Sequence, residues 1–165
     1  MLLSDKVWNA LNEQVKWELE SSYMYLGMAA WLNDVSLPGF AHWMREQAKE
    51  EVEHAMKIYN YIEDRGNRVE LLPIAPPQKE WTDVHEVVRK SLEHEQLVTS
   101  LINRLVDIAA EEKDHATSVF LQWFVSEQVE EEDLFNGVLD KLSFVKPGSS
   151  SLLYFDKQMG KREED

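Results

Sequence analysis

With 165 residues, no cysteine, and 31 acidic against 17 basic side chains for a formal net charge of −14, the chain excludes several classes at once. Disulfides, iron–sulfur clusters and thiolate zinc sites need cysteine, and nucleic acid or an anionic membrane surface would repel so acidic a protein. Cations remain as favoured charged partners, although solubility alone accounts for much of an acidic surface.

A chain of this length forms one domain, residues 1–165, and buries roughly two thirds of its unfolded surface, enough for a core without staples. The absence of cysteine suits a reducing cytoplasm. The N-terminus "MLLSDKVWNA" has no basic region followed by an apolar one. The longest nearly apolar run, "YMYLGMAAWL", falls well short of the roughly 20 residues that a membrane span needs. The expectation is a cytoplasmic protein, neither exported nor bound to a membrane.

The first helical pattern covers about 4–33 and opens at Ser4, an N-cap residue type. Its inward positions step by three and four through Leu11, Val15, Glu18, Ser22, Tyr25, Ala29 and Leu32. The second, about 37–66, carries Pro38 in its first turn and ends at Gly66. Its stripe runs Phe40, Met44, Gln47, Glu51, His54 with Ala55, Ile58 and Ile62. The proline-rich stretch 67–81 has no helical period and reads as a connection.

The third pattern, about 82–111, steps through Val84, Val88, Ser91, Glu95, Val98, Ile102, Leu105 and Ala109. The fourth, about 114–143, steps through Phe120, Phe124, Glu127 with Gln128, Glu131, Leu134, Val138 and Leu142. "KPGSSS" stops it, and "LLYFDKQMG" within about 150–159 forms a short fifth helix before the charged tail "KREED".

Connection lengths choose the topology. The links between helices 1 and 2 and between helices 3 and 4 are a few residues long, so each pair is an antiparallel hairpin. The middle link reaches at most about 50 Å when extended, and a helix of nearly thirty residues is about 40–45 Å long. It can therefore span the whole bundle and make helices 2 and 3 parallel. The expected fold is all-α: a four-helix bundle with one long crossover between helices 2 and 3 plus a short C-terminal fifth helix.

Each inner stripe contains a glutamate: Glu18, Glu51, Glu95 and Glu131, with His54 one turn beyond Glu51. All fall near mid-helix and meet at similar depth. A bare carboxylate costs several kcal/mol to bury unless it is paired or metal-bound, and no basic residue stands at these stripe positions. Either some of the four are protonated, or a cation sits among them. Oxygen donors with one imidazole suit iron or manganese better than zinc. Glu127, Glu130 and Glu131 at i, i+3 and i+4 share a face, whereas Glu53 reads as solvated. His94 points about 100° away from Glu95 and reads as support or packing. His42, His85 and His115 show no ligand spacing.

At these residues the chain resembles the non-haem bacterial and archaeal ferritins. The resemblance extends from "LNEQVKWELESSYMYL" through "GFAHWMREQAKEEVEHAMKIYNYIEDRGNRVEL", "EHEQLVTSLINRL" and "FLQWFVSEQVEEE" to "LYFDKQMG". It implies a ferritin-like bundle with a ferroxidase centre. Glu18, Glu51 and His54 would supply a first iron site, and Glu51 would bridge to a second completed by Glu95 and Glu131. Glu50, Glu127 and Glu130, with Glu131 shared, would form a third site toward the shell interior. Tyr25 matches a tyrosine beside the centre and Trp123 an aromatic near it, both expected at core positions.

Related di-iron proteins carry a second Glu-x-x-His on helix 4, where this chain reads Gln128-x-x-Glu131. Gln128 thus stands among the ligands of a second site expected to hold iron less tightly. Bacterioferritins place a haem-ligating methionine after the bridging glutamate, whereas this chain has Val52, so no haem is expected. Rubrerythrins need cysteines that are absent. The resemblance implies Fe(II) as substrate, O2 or H2O2 as oxidant, ferric mineral as product, and a homo-oligomeric shell of twenty-four subunits. The short C-terminal helix would line one set of channels. A di-iron oxygenase or peroxidase acting on an organic substrate and a non-catalytic helical assembly protein are the two rival classes.

Overall fold

The computed structural model describes residues 2–164. Five helices follow one another: α1 (Asp5–Asp34), α2 (Pro38–Asp64), α3 (Val84–Glu111), α4 (His115–Leu142) and α5 (Ser150–Met159), with no strand among the described residues. Side chains start three of them. Ser4 accepts from Val7 N at 3.3 Å, Asp83 from Glu86 N at 2.9 Å and Asp114 from Thr117 N at 3.1 Å, each satisfying an otherwise orphaned donor. The hairpin turns need left-handed backbone, which Ser36 (φ 65°) and Lys113 (φ 55°) adopt.

The crossover runs alongside α1 from end to end. Trp8 Nε1 donates to Arg68 O at 2.8 Å, Glu70 N to Asn12 Oδ1 at 2.9 Å, and Ala75 N to Glu20 Oε1 at 2.7 Å. Farther on, Trp81 meets Trp31 edge-on at 5.8 Å. Contacts that advance together along both segments carry the chain back to the end of the bundle where α2 began. Helices α2 and α3 are therefore parallel, as the length of the link requires.

The apolar core is divided in two. One cluster gathers Tyr25, Met28, Leu32, Phe40, Met44, Val88 and Phe135, and the other gathers Leu11, Val15, Ile58, Ile62, Ile102, Leu121 and Phe124. Each such side chain contributes about 1.5–3 kcal/mol on full burial. Between the clusters lies a polar layer built from the middle turns of all four long helices. On α4 the inward face differs from the expected stripe. Leu134 is 39% exposed, and Phe135, fully buried, takes its place. The step of four from Glu131 to Phe135 stays within about 40° of Glu131 on the buried side, whereas the step of three to Leu134 falls about 60° to the other side, toward solvent.

α2 lacks a side-chain cap of its own, with Leu37 at that position. Its first turn is closed from α5: Asp156 accepts from Gly39 N at 3.0 Å and Phe40 N at 2.8 Å. The backbones approach so closely that a Cβ on Gly39 would fall 1.7 Å from the Asp156 carbonyl oxygen. Asp156→Ala is expected to cost about 1–2 kcal/mol as a lost cap, read as a lower thermal midpoint of the metal-free protein. Gly39→Ala is expected to be worse, with α5 losing protection from amide hydrogen exchange. Protection equal to that of the unaltered protein would contradict this docking.

Candidate metal centre

The polar layer brings together the four glutamates that the helical period singled out. Glu18, Glu51 and Glu95 are each 1% exposed, Glu131 is 3% and His54 is 5%. Their donor atoms form three overlapping triads: Glu18, Glu51 and His54; Glu51, Glu95 and Glu131; His54, Glu127 and Glu131. Within each, the atoms lie no more than 4.8 Å apart. Glu51, His54 and Glu131 each belong to two triads, so the three form one continuous cluster.

Neutral amides hold the carboxylates from outside the cluster. Gln14 Nε2 donates to Glu18 Oε1 at 2.9 Å, and Gln47 Nε2 donates at 3.0 Å to both Glu51 Oε1 and Glu131 Oε2. Gln128, at the position of the missing histidine, turns its Nε2 toward Glu95, 3.2 Å from both its carbonyl oxygen and Oε2. Tyr25, fully buried and stacked 5.8 Å from Phe135, donates its hydroxyl to Glu95 Oε1. His54 Nδ1 lies 3.4 Å from Glu51 Oε2 and 3.8 Å from Glu18 Oε2, and its Nε2 lies 3.5 Å from Glu127.

Charge in this layer is far from balanced. Burial, with the charge of Glu95 next, pushes Glu51 well above the carboxylate range. Burial likewise lifts Glu95 to about 7 and, aided by repulsion from Glu95, Glu131 to about 8. Burial alone would lower His54, but the carboxylates of Glu127, Glu18 and Glu51 around the ring outweigh it and hold the imidazole well above its ordinary value. Burial would raise Glu18, yet His54 holds it below. Protons thus stand where positive charge is wanted. Glu18 Oε2 is buried and accepts no hydrogen bond, an arrangement that suits a cation better than a proton network. Hard oxygen donors and one imidazole fit iron or manganese.

The remaining candidates lie at the edge of the cluster. Glu127 joins it through His54. Glu130 is exposed on the rim of a cavity of about 750 Å³ that also meets Glu53, Lys57, Trp123, Glu127 and Arg162. Glu50 faces the same cavity and pairs with Arg162 at 2.9 Å. Trp123 is not a core residue as expected: it is 39% exposed, packed edge-on against His54 at 5.4 Å, with Lys57 3.6 Å over its ring. One helical step from the buried Phe124, it covers the outer side of His54.

His94 is hydrogen-bonded to Ser21 at 2.6 Å and meets the Tyr25 ring edge-on, so it supports the centre without entering it. His42 bonds to Arg162 O at 2.7 Å, and His85 Nε2 to Leu142 O and Val145 O at 2.9 and 2.8 Å. Gln14 and Arg162 escape the period-based reading, and Gln47, which the period places on the inner stripe, gains there a supporting role that the period does not show. The two glutamines carried a signal, since each precedes its glutamate by four residues, as Gln14-x-x-x-Glu18 and Gln47-x-x-x-Glu51.

A family model described as a ferritin-like domain matches residues 8–145. The chain belongs to the ferritin family. This ferritin-family chain is 40% identical over 96% of its length to a probable bacterial non-heme ferritin-like protein of Haemophilus influenzae, of which 96% is covered. It is 41% identical to a bacterial non-heme ferritin of Bacteroides fragilis, with 98% of this chain and 100% of that one covered. Among solved structures, an open-pore ferritin of Archaeoglobus fulgidus superposes with a TM-score of 0.96 at 41% identity, covering 98% of both chains.

Cation entry into this layer must expel protons. Binding of Zn(II), a redox-inert probe, is expected to release at least one proton per subunit at pH 7 and to tighten from pH 6 to pH 8. Calorimetry in buffers of different ionisation enthalpy measures both, and pH-independent binding would contradict the charge analysis. The sign for folding is opposite. Carboxylates raised to about 7 and 8 stabilise the folded state fully below their unfolded values. That contribution disappears as pH climbs through the raised ones.

Proposed function

We propose that the chain is the subunit of an iron-storage ferritin that oxidises Fe(II) at the carboxylate layer and stores the ferric product as mineral inside a hollow shell. The observation that carries this reading is the continuous set of three triads, buried at mid-bundle in a ferritin-family chain. The names of its relatives, non-heme ferritins from several bacteria, agree with it.

On this reading Glu18, Glu51 and His54 receive one Fe(II), and Glu51, Glu95 and Glu131 receive a second, with Glu51 between them. Gln128 keeps Glu95 oriented in place of a second histidine. Two Fe(II) supply two electrons, which with two protons reduce O2 to H2O2, or H2O2 to two molecules of water. The protons displaced from the layer are available for that step. Anionic oxygen donors favour Fe(III) over Fe(II), so the ligand set itself drives the oxidation. Tyr25, donating to Glu95, lies where it can also pass an electron.

Glu127 and Glu130, with Glu50, line the way from the layer to the 750 Å³ cavity and form the third, transit site. Assembly into a shell of twenty-four gives that cavity an interior to face. Large apolar side chains exposed on the single chain, among them Tyr23, Leu26, Leu71, Phe144 and Tyr154, supply surface to bury between subunits. No helix among the described residues is long and apolar enough to cross a membrane, and the reading places the protein in the cytoplasm.

The decisive experiment adds several hundred Fe(II) per shell in air, followed by electron microscopy and size exclusion. A dense core within a hollow particle is expected, and a small oligomer without a core would overturn storage. Glu18→Ala and His54→Ala are each expected to slow the initial oxidation by about tenfold or more, by analogy with losses at metal sites. Stopped-flow absorbance of the ferric product measures this. Rates equal to the unaltered protein would remove the layer from the reaction.

A further inference from the structure

We propose that Arg162, on the segment that follows α5, is a positioning residue for the metal centre, acting through Gln47 on the carboxylates of Glu51 and Glu131. The inference rests on the di-iron reading above and extends it to a residue outside the four-helix bundle.

Arg162 is fixed in place by a series of contacts to α2. α5 is docked on α2 through Asp156 and the Gly39 contact. Beyond α5, the Arg162 carbonyl oxygen is hydrogen-bonded to His42 at 2.7 Å, which directs the side chain back along α2. Its guanidinium carbon lies 4.4 Å over the Trp43 ring, and Nη1 donates to Trp43 O at 3.2 Å. Nη2 donates to Gln47 Oε1 at 3.0 Å and to Glu50 Oε1 at 2.9 Å. The arginine side chain is only 12% exposed.

The donor chemistry of this chain of contacts runs in one direction. A guanidinium has donors only, so the amide group of Gln47 must present its oxygen to Arg162. Its nitrogen is thereby turned inward, where its two N–H groups reach Glu51 Oε1 and Glu131 Oε2, both at 3.0 Å. Gln47 is completely buried, and Arg162 is the charged partner of its oxygen. One amide thus links a carboxylate of α2 with one of α4 and fixes their separation. Without Arg162 the Gln47 oxygen loses its charged donor, the amide is free to turn, and both carboxylates lose their common restraint. Glu18 is insulated from this, because its amide donor, Gln14, lies on α1.

Lysine cannot replace the arginine here. An ammonium is a point charge, whereas the guanidinium fork serves Trp43, Gln47 and Glu50 together while stacking on a ring.

The test titrates Co(II), whose visible absorption reports ligand geometry, anaerobically into the assembled full-length protein. Arg162→Ala and Arg162→Lys are both expected to weaken the second Co(II) per subunit by about tenfold, the lower end of losses for residues that orient metal ligands, and to change its spectrum. The first Co(II) should move much less. In a Gln47→Ala background, Arg162→Ala should add nothing further, because coupled residues are not additive. The proposal is overturned if Arg162→Ala leaves the second equivalent unchanged, or weakens it by the same factor with Gln47 already removed. If Arg162→Ala fails to assemble, Arg162→Lys decides by the same criteria. An unaltered protein that takes up fewer than two Co(II) per subunit overturns the di-iron reading and this inference together. Two equivalents in both proteins, with equal affinity, overturn the inference alone.

Discussion

Four buried carboxylates around one imidazole are the constraint to which the rest of the molecule answers. Each ion removed from water costs several kcal/mol after relaxation, so such a layer is tolerable only between regions that gain much more by burial. The two apolar clusters on either side provide this, with aromatic and aliphatic side chains from all four long helices in each. They also fix the helices against one another at the depth where the glutamates meet. The crossover, bonded to α1 along its length, sets the parallel arrangement of α2 and α3. Glu51 and Glu95 come level because of it.

The layer manages its charge with groups that are easily displaced. Protons stay on Glu51, Glu95 and Glu131 because burial and mutual repulsion make the anions costly. The amides and the phenol that donate hydrogen bonds to the four glutamates are neutral and orient oxygen atoms without adding a fixed positive charge. A lysine or arginine in their place would neutralise the carboxylates permanently and compete with any incoming cation. Arg162 pairs with Glu50 at the edge of the cluster and meets the Gln47 amide that holds the inner carboxylates. Positive charge is thereby kept available to a transient occupant.

Much of this was legible in the sequence, for a geometric reason. A period of 3.6 residues assigns Glu18, Glu51, Glu95 and Glu131 to inner faces, and burial of four acids in one core has few physical explanations. The bundle followed from the same period and from the reach of the crossover. α4 was less legible because it carries apolar residues on more than one face, including Val119 and Val129 on the outside. That blurs its period, so the sequence pattern puts Leu134 and Trp123 in the core although both are 39% exposed. The glutamines four residues before Glu18 and Glu51 were visible as letters, but a neutral amide gives no signal as strong as a misplaced charge. Arg162 lies beyond the last helix, where no period applies, and only the docking of α5 brings it to the centre.

The cluster is also polarised. Its one nitrogen donor, His54, stands with Glu18 and Glu51 at one end, while at the other Glu95 and Glu131 are held by Tyr25, Gln128 and Gln47. A second histidine in place of Gln128 would make the two ends alike and both tight. With an amide there, the Glu95–Glu131 end offers oxygen donors alone. Glu131 also shares a triad with His54 and Glu127, and Glu127 meets the cavity. On the proposed function, an ion leaving that end would pass from carboxylate to carboxylate without being stripped of ligands between steps. For a centre whose metal is proposed as cargo, the substitution that weakens the site is the one that lets it empty.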